Sequence, residues 1–296
     1  MKTLNFGSLN IDYVYSVSHF VRAGETLSSE KRELFCGGKG LNQSVAFARA
    51  GAEVYHAGNV GADGTMLLDM LKDSGADTRF VQKSDLPTGH AIIQVSADGE
   101  NCILLFDGAN ASVSDTQIEK TFEFFEKGDL LVLQNEINAI DRLLVAAKNK
   151  GMITVLNPSP FNEKITALDF SKIDWLIINE TEGRGISGKD GADEIIDELL
   201  SRYPDMKIVL TLGKRGAIYA DAKNMCAQEI IDAPVVDTTG AGDTFTGYFF
   251  TSIFSGKTPK QALLIASCAS SIAISRKGAA PSIPTKDEVM QKLKHI

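Results

Sequence analysis

The chain has 296 residues, of which 44% are hydrophobic and 23% charged, and this composition is typical of a folded globular protein rather than a disordered one. Its net charge of -8 argues against a nucleic-acid-binding protein, which needs a basic face to neutralise phosphates. The four cysteines form no C-x-x-C pair and the four histidines have no metal-binding spacing, so neither a disulfide framework nor a zinc site is expected.

The first hundred residues combine two predicted helices with two β-rich regions. Helices are expected near residues 40–50 and 64–74, the second with Asp63 as its cap. The β-rich regions cover about 11–35 and 88–107, and their lack of intervening helices indicates antiparallel strands added to a core sheet. Such a small sheet is either a lid that excludes water from a reacting group or an edge extension of the main sheet.

From about residue 114 onward, helices alternate regularly with short apolar strands. Ser114 and Gln117 predict a capping box at the start of the first of these helices, which Gly128 closes. Apolar strands that alternate with helices are typical of a parallel sheet covered on both faces, so we expect one doubly wound, Rossmann-like α/β domain over residues 1–296 with a small antiparallel β lid. The predicted strands lie at 129–134, 152–156, 175–178 and 207–211, with helices near 138–150, 190–202 and 286–296.

Residues 237–245, with the sequence DTTGAGDTF, form the strongest candidate for a reactive site. Gly240 and Gly242 lack side chains where a long apolar helix begins, so the free amides of its first turn can approach a ligand closely. The positive end of a helix suits the charge that develops on a transferring phosphoryl group. Asp243 in that turn is placed to accept the proton of an attacking hydroxyl. The alternative is a plain glycine-rich turn in which Asp243 only caps the helix.

A second glycine cluster, GGKGLNQ at residues 37–43, also opens a predicted helix. Close approach of its backbone, with Lys39 and Asn42 as donors, suits a hydroxyl-rich ligand. It is no P-loop, because G-x-x-x-x-G-K-[ST] occurs nowhere in the chain.

Polar residues follow the predicted strand at 175–178, at the edge where doubly wound sheets bind their ligands. Asn179–Glu182 places two carboxylates and an amide there, which suits Mg²⁺ held largely through water and phosphate oxygens. A solvated acidic helix start is the alternative. Gly183–Gly188 matches G-x-G-x-x-G, but it begins about five residues after the strand, so a dinucleotide site is not favoured.

Together these segments resemble the ribokinase-like (PfkB) carbohydrate kinases over essentially the whole chain. The two glycine clusters look like the two signatures of that family, at residues 37–43 and 237–245. The other segments that match in order and spacing are Gly7–Asp12, Asn179–Glu182, Thr211–Gly216 and Arg276–Ser282. The resemblance implies a ribokinase-like fold and a kinase that transfers the γ-phosphoryl group of ATP to a primary hydroxyl, foremost the 5-hydroxyl of D-ribose. Another sugar or a nucleoside as acceptor is the alternative.

The resemblance also implies roles for individual residues. Asp243 is the expected catalytic base, beside an anion hole formed by Gly240, Ala241 and Gly242. The residues expected to bind the sugar are Asn10, Asp12, Gly38, Lys39, Gly40, Asn42, Glu136 and Asp243. Those expected to contact ATP are Asn179, Thr211, Leu212, Gly213, Lys214, Arg215, Gly216, Gly242 and Ser267.

Two metal ions are implied in the same way. Mg²⁺ is expected with an indirect contribution from Glu182, and an activating K⁺ is expected beside the anion hole, bound in part through backbone carbonyls. The residues that match the monovalent-cation site are Asp237, Thr239, Ala273, Arg276, Gly278 and Ser282. Plainer interpretations exist for three positions: a simple loop for Arg276–Ser282, tight helix packing for Ser267 and a solvated strand end for Glu136.

Two residues depart from the family pattern. Leu41 replaces a small residue inside the first signature, and His90, next to Ala91, is bulky and polar where a lid strand is expected to cover the sugar. Both leave the choice of sugar more open than the reaction.

The family's lid strands often pair between subunits, which implies a homodimer, and an exposed sheet edge is a physical reason to pair. The scattered thiols and the absence of a signal peptide or apolar span favour a cytosolic protein without a membrane partner. Two rival functions are a non-catalytic sugar-binding protein on the same fold and, more remotely, a nicotinamide-dependent oxidoreductase.

Overall fold

Thirteen strands form two sheets in the computed structural model, which describes all 296 residues. The strands are Thr3–Phe6 (β1), Asn10–Ser16 (β2), Lys31–Gly37 (β3), Val54–Val60 (β4), Asp77–Lys83 (β5), Gly89–Val95 (β6), Asn101–Phe106 (β7), Leu130–Gln134 (β8), Ile153–Asn157 (β9), Trp175–Asn179 (β10), Lys207–Thr211 (β11), Ala217–Ala220 (β12) and Met225–Gln228 (β13). The central sheet has nine strands in the order β13-β12-β11-β10-β9-β8-β1-β4-β5. The seven strands from β11 to β5 pair in parallel, and β12 and β13 add an antiparallel edge.

Helices cover both faces of the central sheet. They are Lys39–Ala50 (α1), Thr65–Asp73 (α2), Asp115–Glu123 (α3), Ile140–Lys150 (α4), Glu180–Ser187 (α5), Ala192–Arg202 (α6), Ala241–Phe254 (α7), Pro259–Ala273 (α8) and Lys286–Leu293 (α9). Alternate residues of β8 enter opposite hydrophobic clusters: Leu130 and Val132 pack with α1, α7 and α8, whereas Leu131 and Leu133 pack with α3, α4 and α6. A strand buried on both faces is apolar over most of its length, as β8 is, and this layered arrangement confirms the predicted doubly wound α/β fold.

The two β-rich regions form a separate four-stranded sheet, in the order β3-β2-β6-β7, which we call the lid. The pairings of β2 with β3 and of β6 with β7 are antiparallel, as expected, and the central pairing of β2 with β6 is parallel. Strand β2 follows β1 after only three residues, so the lid begins at the carboxyl end of the central strand β1. The lid is therefore no edge extension of the main sheet.

The outer lid strand β7 has no neighbour on one side, and all six of its residues are exposed. Four consecutive apolar side chains lie there, with exposed fractions of 52% for Ile103, 66% for Leu104, 47% for Leu105 and 49% for Phe106. An unpaired strand edge of this length with apolar side chains is a surface on which another strand can pair.

Three local expectations need correction. Asp63 does not cap α2, which begins after Gly64, because its carboxylate accepts hydrogen bonds from the backbone N–H and hydroxyl of Thr88 instead. Ser114 accepts from the N–H of Gln117 at 3.2 Å, but the Gln117 side chain donates to a carbonyl in β4, so only half of the capping box forms. That helix, α3, also ends at Glu123, several residues before Gly128.

The G-x-G-x-x-G match at 183–188 lies inside and at the end of α5 rather than in a tight turn after a strand. A Cβ on Gly183 would press on Ile195 and one on Gly185 on Phe161, so these glycines serve helix packing. The dinucleotide hypothesis is therefore wrong. No helix combines the length and apolar composition that crossing a membrane requires.

Candidate active site

The carboxyl ends of the parallel strands meet the starts of α1 and α7 around a cavity of about 220 Å³. Asn157 ends β9, Asn179 ends β10 and Thr211 ends β11, and all three line this cavity together with Glu182 and Asp243. The other lining residues are Lys39, Ser159, Ile177, Ile178, Thr238, Gly240, Ala241, Gly242 and Thr246. The structure thus brings the two glycine clusters and the residues after β10 into one site, as the sequence predicts.

A larger cavity of about 440 Å³ lies between α3 and α4. Four of its six charged side chains form ion pairs, Arg142 with Asp115 and Lys172 with Asp169. It contains none of the residues of the predicted site, and its two unpaired carboxylates, those of Glu119 and Asp141, lie on exposed residues.

The start of α7 is open toward the cavity. Gly240 has φ 74°, a left-handed conformation that favours glycine, and a Cβ there would lie 3.1 Å from Ala279. A Cβ on Gly242 would meet no protein atom within 4 Å, so it would occupy ligand space instead. The Ala241 N–H donates to the carbonyl of Thr238 at 3.2 Å, whereas those of Gly242 and Asp243 have no partner. Of the three residues expected to form an anion hole, Gly240 and Gly242 thus keep free backbone N–H groups, as does Asp243, whereas Ala241 does not.

Asp243 is buried, with 6% of its surface exposed, at the first turn of α7. Its Oδ2 accepts a hydrogen bond from Asn42 Nδ2 at 3.1 Å and its Oδ1 one from Gln43 Nε2 at 3.0 Å. Each oxygen keeps a lone pair, so the carboxylate can still accept a proton.

Lys39 supplies a positive charge close to this carboxylate. Burial acts to lower the pKa of Lys39, but the carboxylates of Asp243 and Glu136, with a smaller effect of Glu182, hold it above its ordinary value. The ammonium group therefore stays charged at the mouth of the cavity, where it can stabilise anionic groups.

The predicted sugar residues lie where β2 leaves the core. Glu136 Oε2 accepts from the Lys39 backbone N–H at 2.8 Å and from the Ser8 hydroxyl, and burial raises the pKa of this carboxyl against the opposing charge of Lys39. Burial, together with the nearby charge of Glu136, raises the pKa of Asp12 to about 7. Glu136 is thus no solvated strand end, and two carboxyls lie near each other at the base of the lid.

Glycines allow the segments around this pocket to pack closely, and one buried polar atom is left without a partner. A Cβ on Gly37 would clash with the Asp12 carboxylate, and one on Gly40 would lie 2.3 Å from the Ser8 nitrogen. Asn42 Oδ1 is buried without any hydrogen-bond partner. A ligand hydroxyl would satisfy that oxygen, so the donor and acceptor set fits a polyhydroxylated molecule.

On the side expected to bind the nucleotide, Asn179 caps α5 and forms a capping box with Glu182, a residue that is 4% exposed. One Glu182 oxygen accepts from the Asn179 N–H at 3.0 Å, which leaves the other free. The segment Thr211–Gly216 turns at the end of β11, with Lys214 and Arg215 exposed. Ser267 lies buried in α8 and does not line the cavity.

The residues of the predicted cation site lie in two loops that are bonded to each other. Asp237 Oδ1 accepts from the Thr239 N–H at 2.9 Å, and its Oδ2 accepts from the Gly278 N–H at 2.9 Å. Burial acts to raise the pKa of Asp237, but these hydrogen bonds hold it below its usual value. Arg276 pairs with Glu288 at 2.5 Å, and Ser282 donates to the carbonyl of Ala279. Ala273 is buried at the end of α8.

Helix α1 connects the pocket to the second of these loops. Its first residues include Lys39 and Asn42, and its last turn carries Arg49. The Arg49 guanidinium donates to the backbone carbonyl of Ala280 at 3.1 Å and to that of Ile283. One rigid element thus contacts both the candidate sugar pocket and the loop between α8 and α9.

The two departures from the family pattern lie away from the pocket. Leu41 is fully buried on the core face of α1, so it changes packing rather than the ligand site. His90 pairs with Ile11, and its neighbour Ala91 pairs with Asp12. Adjacent strand residues point to opposite faces, so His90 lies on the lid face opposite Asp12. Its ring packs against those of Tyr13 and Phe106.

Sequence reasoning does not identify several polar residues of the site, which are buried except for the half-buried Asn157. They are Asn5, Ser8, Gln43, Asn110, Gln134 and Asn157. The sequence offers one signal for two of them, because Asn5 and Gln134 are amides within otherwise apolar strands. Such residues are buried only when their hydrogen bonds are satisfied.

Comparisons with known proteins agree with this fold. The model of the pfkB family carbohydrate kinases matches residues 2–286. The ribokinase of Haemophilus influenzae is 35% identical over 310 residues, which cover 99% of both chains. The crystal structure of the ribokinase of Thermotoga maritima superposes with a TM-score of 0.87 at 30% identity, covering 99% of each chain. The ribokinase of Arabidopsis thaliana complexed with ribose and ATP has a TM-score of 0.86 at 29% identity, covering 99% of this chain and 98% of that one.

Proposed function

The chain belongs to the pfkB family of carbohydrate kinases, and we propose that it transfers the γ-phosphoryl group of ATP to the 5-hydroxyl of D-ribose, giving ribose 5-phosphate. The observation that carries the proposal is the position of Asp243. Its carboxylate lines the cavity with Asn179 and Thr211 and also contacts Asn42, next to the pocket at the base of the lid. One group can therefore reach an acceptor hydroxyl and a phosphate.

The sugar would lie against the lid residues Asn10 and Asp12 and the helix start at Gly38–Asn42. Paired carboxylates such as Asp12 and Glu136 accept hydrogen bonds from neighbouring hydroxyls and reject analogues that lack one. The similarity to a ribokinase whose structure contains ribose and ATP supports ribose as the acceptor.

In the proposed reaction, Asp243 takes the proton of the 5-hydroxyl as that oxygen attacks the γ-phosphorus. A new P–O bond forms to the sugar, the bond to the bridging oxygen breaks, and the electron pair leaves with ADP. The Lys39 ammonium and the free amides of Gly242 and Asp243 stabilise the charge on the transferring group. Catalysis rests mainly on positioning and electrostatics.

ATP would be contacted by Asn179, the Thr211–Gly216 turn, Gly242 and Ser267. No cluster of three or more histidine, cysteine or acidic side chains could hold a metal directly, so Mg²⁺ would be bound mainly by water and ATP phosphates. Glu182, with one free oxygen, would hold a water of that ion. When bound, Mg²⁺ neutralises phosphate charge.

K⁺ would be held by backbone carbonyls and the Asp237 carboxylate in the two bonded loops. These oxygens suit a large monovalent cation, and Asp237 already joins Thr239 to Gly278 beside the anion hole. The further residues proposed for this site are Ala273, Arg276 and Ser282. The bound ion supplies a fixed positive charge near the anion hole.

The exposed edge of β7 supports pairing of two lids, so we propose a homodimer through these strands. Four free cysteines and the use of ATP support a cytoplasmic location.

The experiment that tests the function is a substrate screen with ADP release as the readout. The acceptors are ribose, deoxyribose, fructose and nucleosides, each with ATP and Mg²⁺ and with or without K⁺. We expect the highest kcat/KM with ribose. Preference for another acceptor contradicts ribose, and sugar binding without turnover by any acceptor indicates a non-catalytic protein on this fold.

A further inference from the structure

A buried chain of side-chain amides leads from Asp243 into the central sheet. Gln43 Nε2 donates to Asp243 Oδ1 at 3.0 Å, and Gln43 Oε1 accepts from Gln134 Nε2 at 2.7 Å. Gln134 Nε2 also donates to Asn5 Oδ1 at 2.9 Å. Gln43 and Asn5 are 0% exposed and Gln134 1%, so water cannot replace these bonds. The reaction as derived above does not use any of the three.

The direction of this chain is set by a backbone carbonyl. Asn5 Nδ2 donates to the Gly40 carbonyl at 2.7 Å, and a carbonyl can only accept. Asn5 therefore turns its oxygen toward Gln134, which has to donate to it. The second hydrogen of the same Gln134 nitrogen goes to Gln43 Oε1. Gln43 is left with its nitrogen facing Asp243.

A second carbonyl fixes the same orientation independently. Gln43 Nε2 also donates to Asn157 Oδ1 at 3.0 Å, and Asn157 Nδ2 donates to the Ile177 carbonyl at 3.1 Å. Because Ile177 can only accept, Asn157 has to present its oxygen to Gln43. Both routes require Gln43 to present an N–H group to Asp243.

A neutral histidine ends this series of hydrogen-bonded amides on the side away from Asp243. Asn5 Nδ2 also donates to Ser44 Oγ at 2.8 Å, so the single Ser44 hydrogen is free for His56 Nδ1, 2.8 Å away. Burial lowers the pKa of His56 to about 3, and a neutral ring can accept at Nδ1. Every hydrogen bond among the side-chain amides of Gln43, Gln134, Asn5 and Asn157 is thus compatible with one direction only.

We propose that Gln43 and Gln134 are positioning residues for Asp243, which hold its carboxylate as a hydrogen-bond acceptor in a single orientation toward the sugar hydroxyl. The inference rests on the proposed role of Asp243 as the base. A carboxylate that receives N–H donors on both oxygens in a buried site cannot rotate without losing a charge-assisted hydrogen bond. Asn42 supplies the second donor, but only the Gln43 donor has its direction imposed from the core.

The variant Gln134→Glu tests this without touching Asp243. A glutamate cannot donate to Asn5 and Gln43, and its carboxylate attracts the Gln43 N–H group. The Gln43 amide therefore turns its oxygen toward Asp243, at the cost of its hydrogen bond to Asn157. We expect kcat to fall by about tenfold or more, part of the roughly 10²- to 10⁴-fold that a positioned base contributes, with the KM values for sugar and ATP nearly unchanged.

The matched control is Gln117→Glu. Gln117 is also 1% exposed and donates to one backbone carbonyl, that of Gly58, but it has no bond to the chain of amides. We expect this control to lower Tm while leaving kcat unchanged. Equal losses of kcat in the two variants would mean that both act through general destabilisation, which overturns the proposal.

A double-mutant cycle of stability tests the same inference without any substrate. In Asp243→Asn, the new amide can donate to the turned-over Gln43 oxygen, so Gln134→Glu should cost less stability in that background than in the wild type. Additive losses overturn the proposal even if the protein phosphorylates another acceptor. If Gln134→Glu does not fold, Gln134→Met removes the same donor without adding charge, and an unchanged kcat in that variant overturns the proposal too.

Discussion

The carboxylate of Asp243 combines a buried position with two amide donors and direct access to the cavity. Replacement by Asn keeps the shape but removes the group that accepts the proton. We therefore expect Asp243→Asn to lower kcat by about 10²- to 10⁴-fold or more while ATP binding, measured by calorimetry, changes little.

The control for that variant is Asp129→Asn. Asp129 is 7% exposed and accepts backbone hydrogen bonds from Lys2 and Glu126 just before β8, at the opposite edge of the sheet from the cavity. It should lose stability but keep its turnover. Near-normal turnover of Asp243→Asn would contradict the assignment of the base.

The raised pKa of Asp12, about 7 against an ordinary value of 3.8, makes stability depend on pH. Between pH 4 and 7 the folded protein keeps a proton on Asp12 that the unfolded protein releases. The contribution of Asp12 to the free energy of unfolding therefore falls as pH rises, and the loss is complete above pH 7. At about 1.4 kcal/mol per pKa unit the loss is a few kcal/mol.

The variant Asp12→Asn stays neutral and lacks this dependence. The difference in unfolding free energy, wild type minus variant, should therefore decrease from pH 5 to pH 8 in urea titrations. A difference that stays constant over this range would show that Asp12 titrates near its ordinary value.

Among the secondary-structure elements, helix α7 begins with two glycines that have different roles. Gly240 has a left-handed backbone and Ala279 beside it, whereas Gly242 faces open space. We expect Gly240→Ala to lose about 1–3 kcal/mol of stability from backbone strain. Gly242→Ala should unfold at the Tm of the wild type and lose activity, because its methyl group occupies the position of the phosphate.

Thermal unfolding and ADP release, measured on both variants, distinguish these roles. Full activity of Gly242→Ala would mean that the transferring phosphoryl group lies elsewhere. An unchanged Tm for Gly240→Ala would show that the turn relaxes without strain.

The lid strand β7 is the second element with a testable role, because one of its edges is unpaired. If two lids pair along this edge, Leu104→Lys places charge in the interface and should convert a dimer to a monomer, as measured by light scattering. Met225→Lys is the matched control, since Met225 is 54% exposed on β13, the antiparallel edge strand of the central sheet. A wild-type monomer, or dissociation by both variants, would contradict the lid interface.

For the whole molecule, the sequence predicts the features that repeat locally. Strands such as Leu130–Gln134 are apolar up to their last residue, which is enough to predict a parallel sheet with helices on both faces. The glycine clusters predict two helix starts open to a ligand, and the structure brings them to one cavity.

What the sequence does not predict depends on contacts between distant elements. Gln43, Gln134 and Asn5 come from α1, β8 and β1, and no local pattern shows that their amides meet. Asp63 has the residue type and position of a helix cap, but its carboxylate accepts a hydrogen bond from the N–H of Thr88, 25 residues later. The face on which His90 lies follows from the register of β2 with β6, which a single strand cannot reveal.

Helix α1 holds Asn42 and Gln43 at one end and, through Arg49, the carbonyls of Ala280 and Ile283 at the other. Its 12 residues span about 18 Å. A packed helix moves as a unit, so a ligand that shifts the loop between α8 and α9 shifts the sugar pocket as well. Thermodynamic linkage then requires reciprocity: if a cation at that loop tightens sugar binding, the sugar tightens cation binding by the same factor.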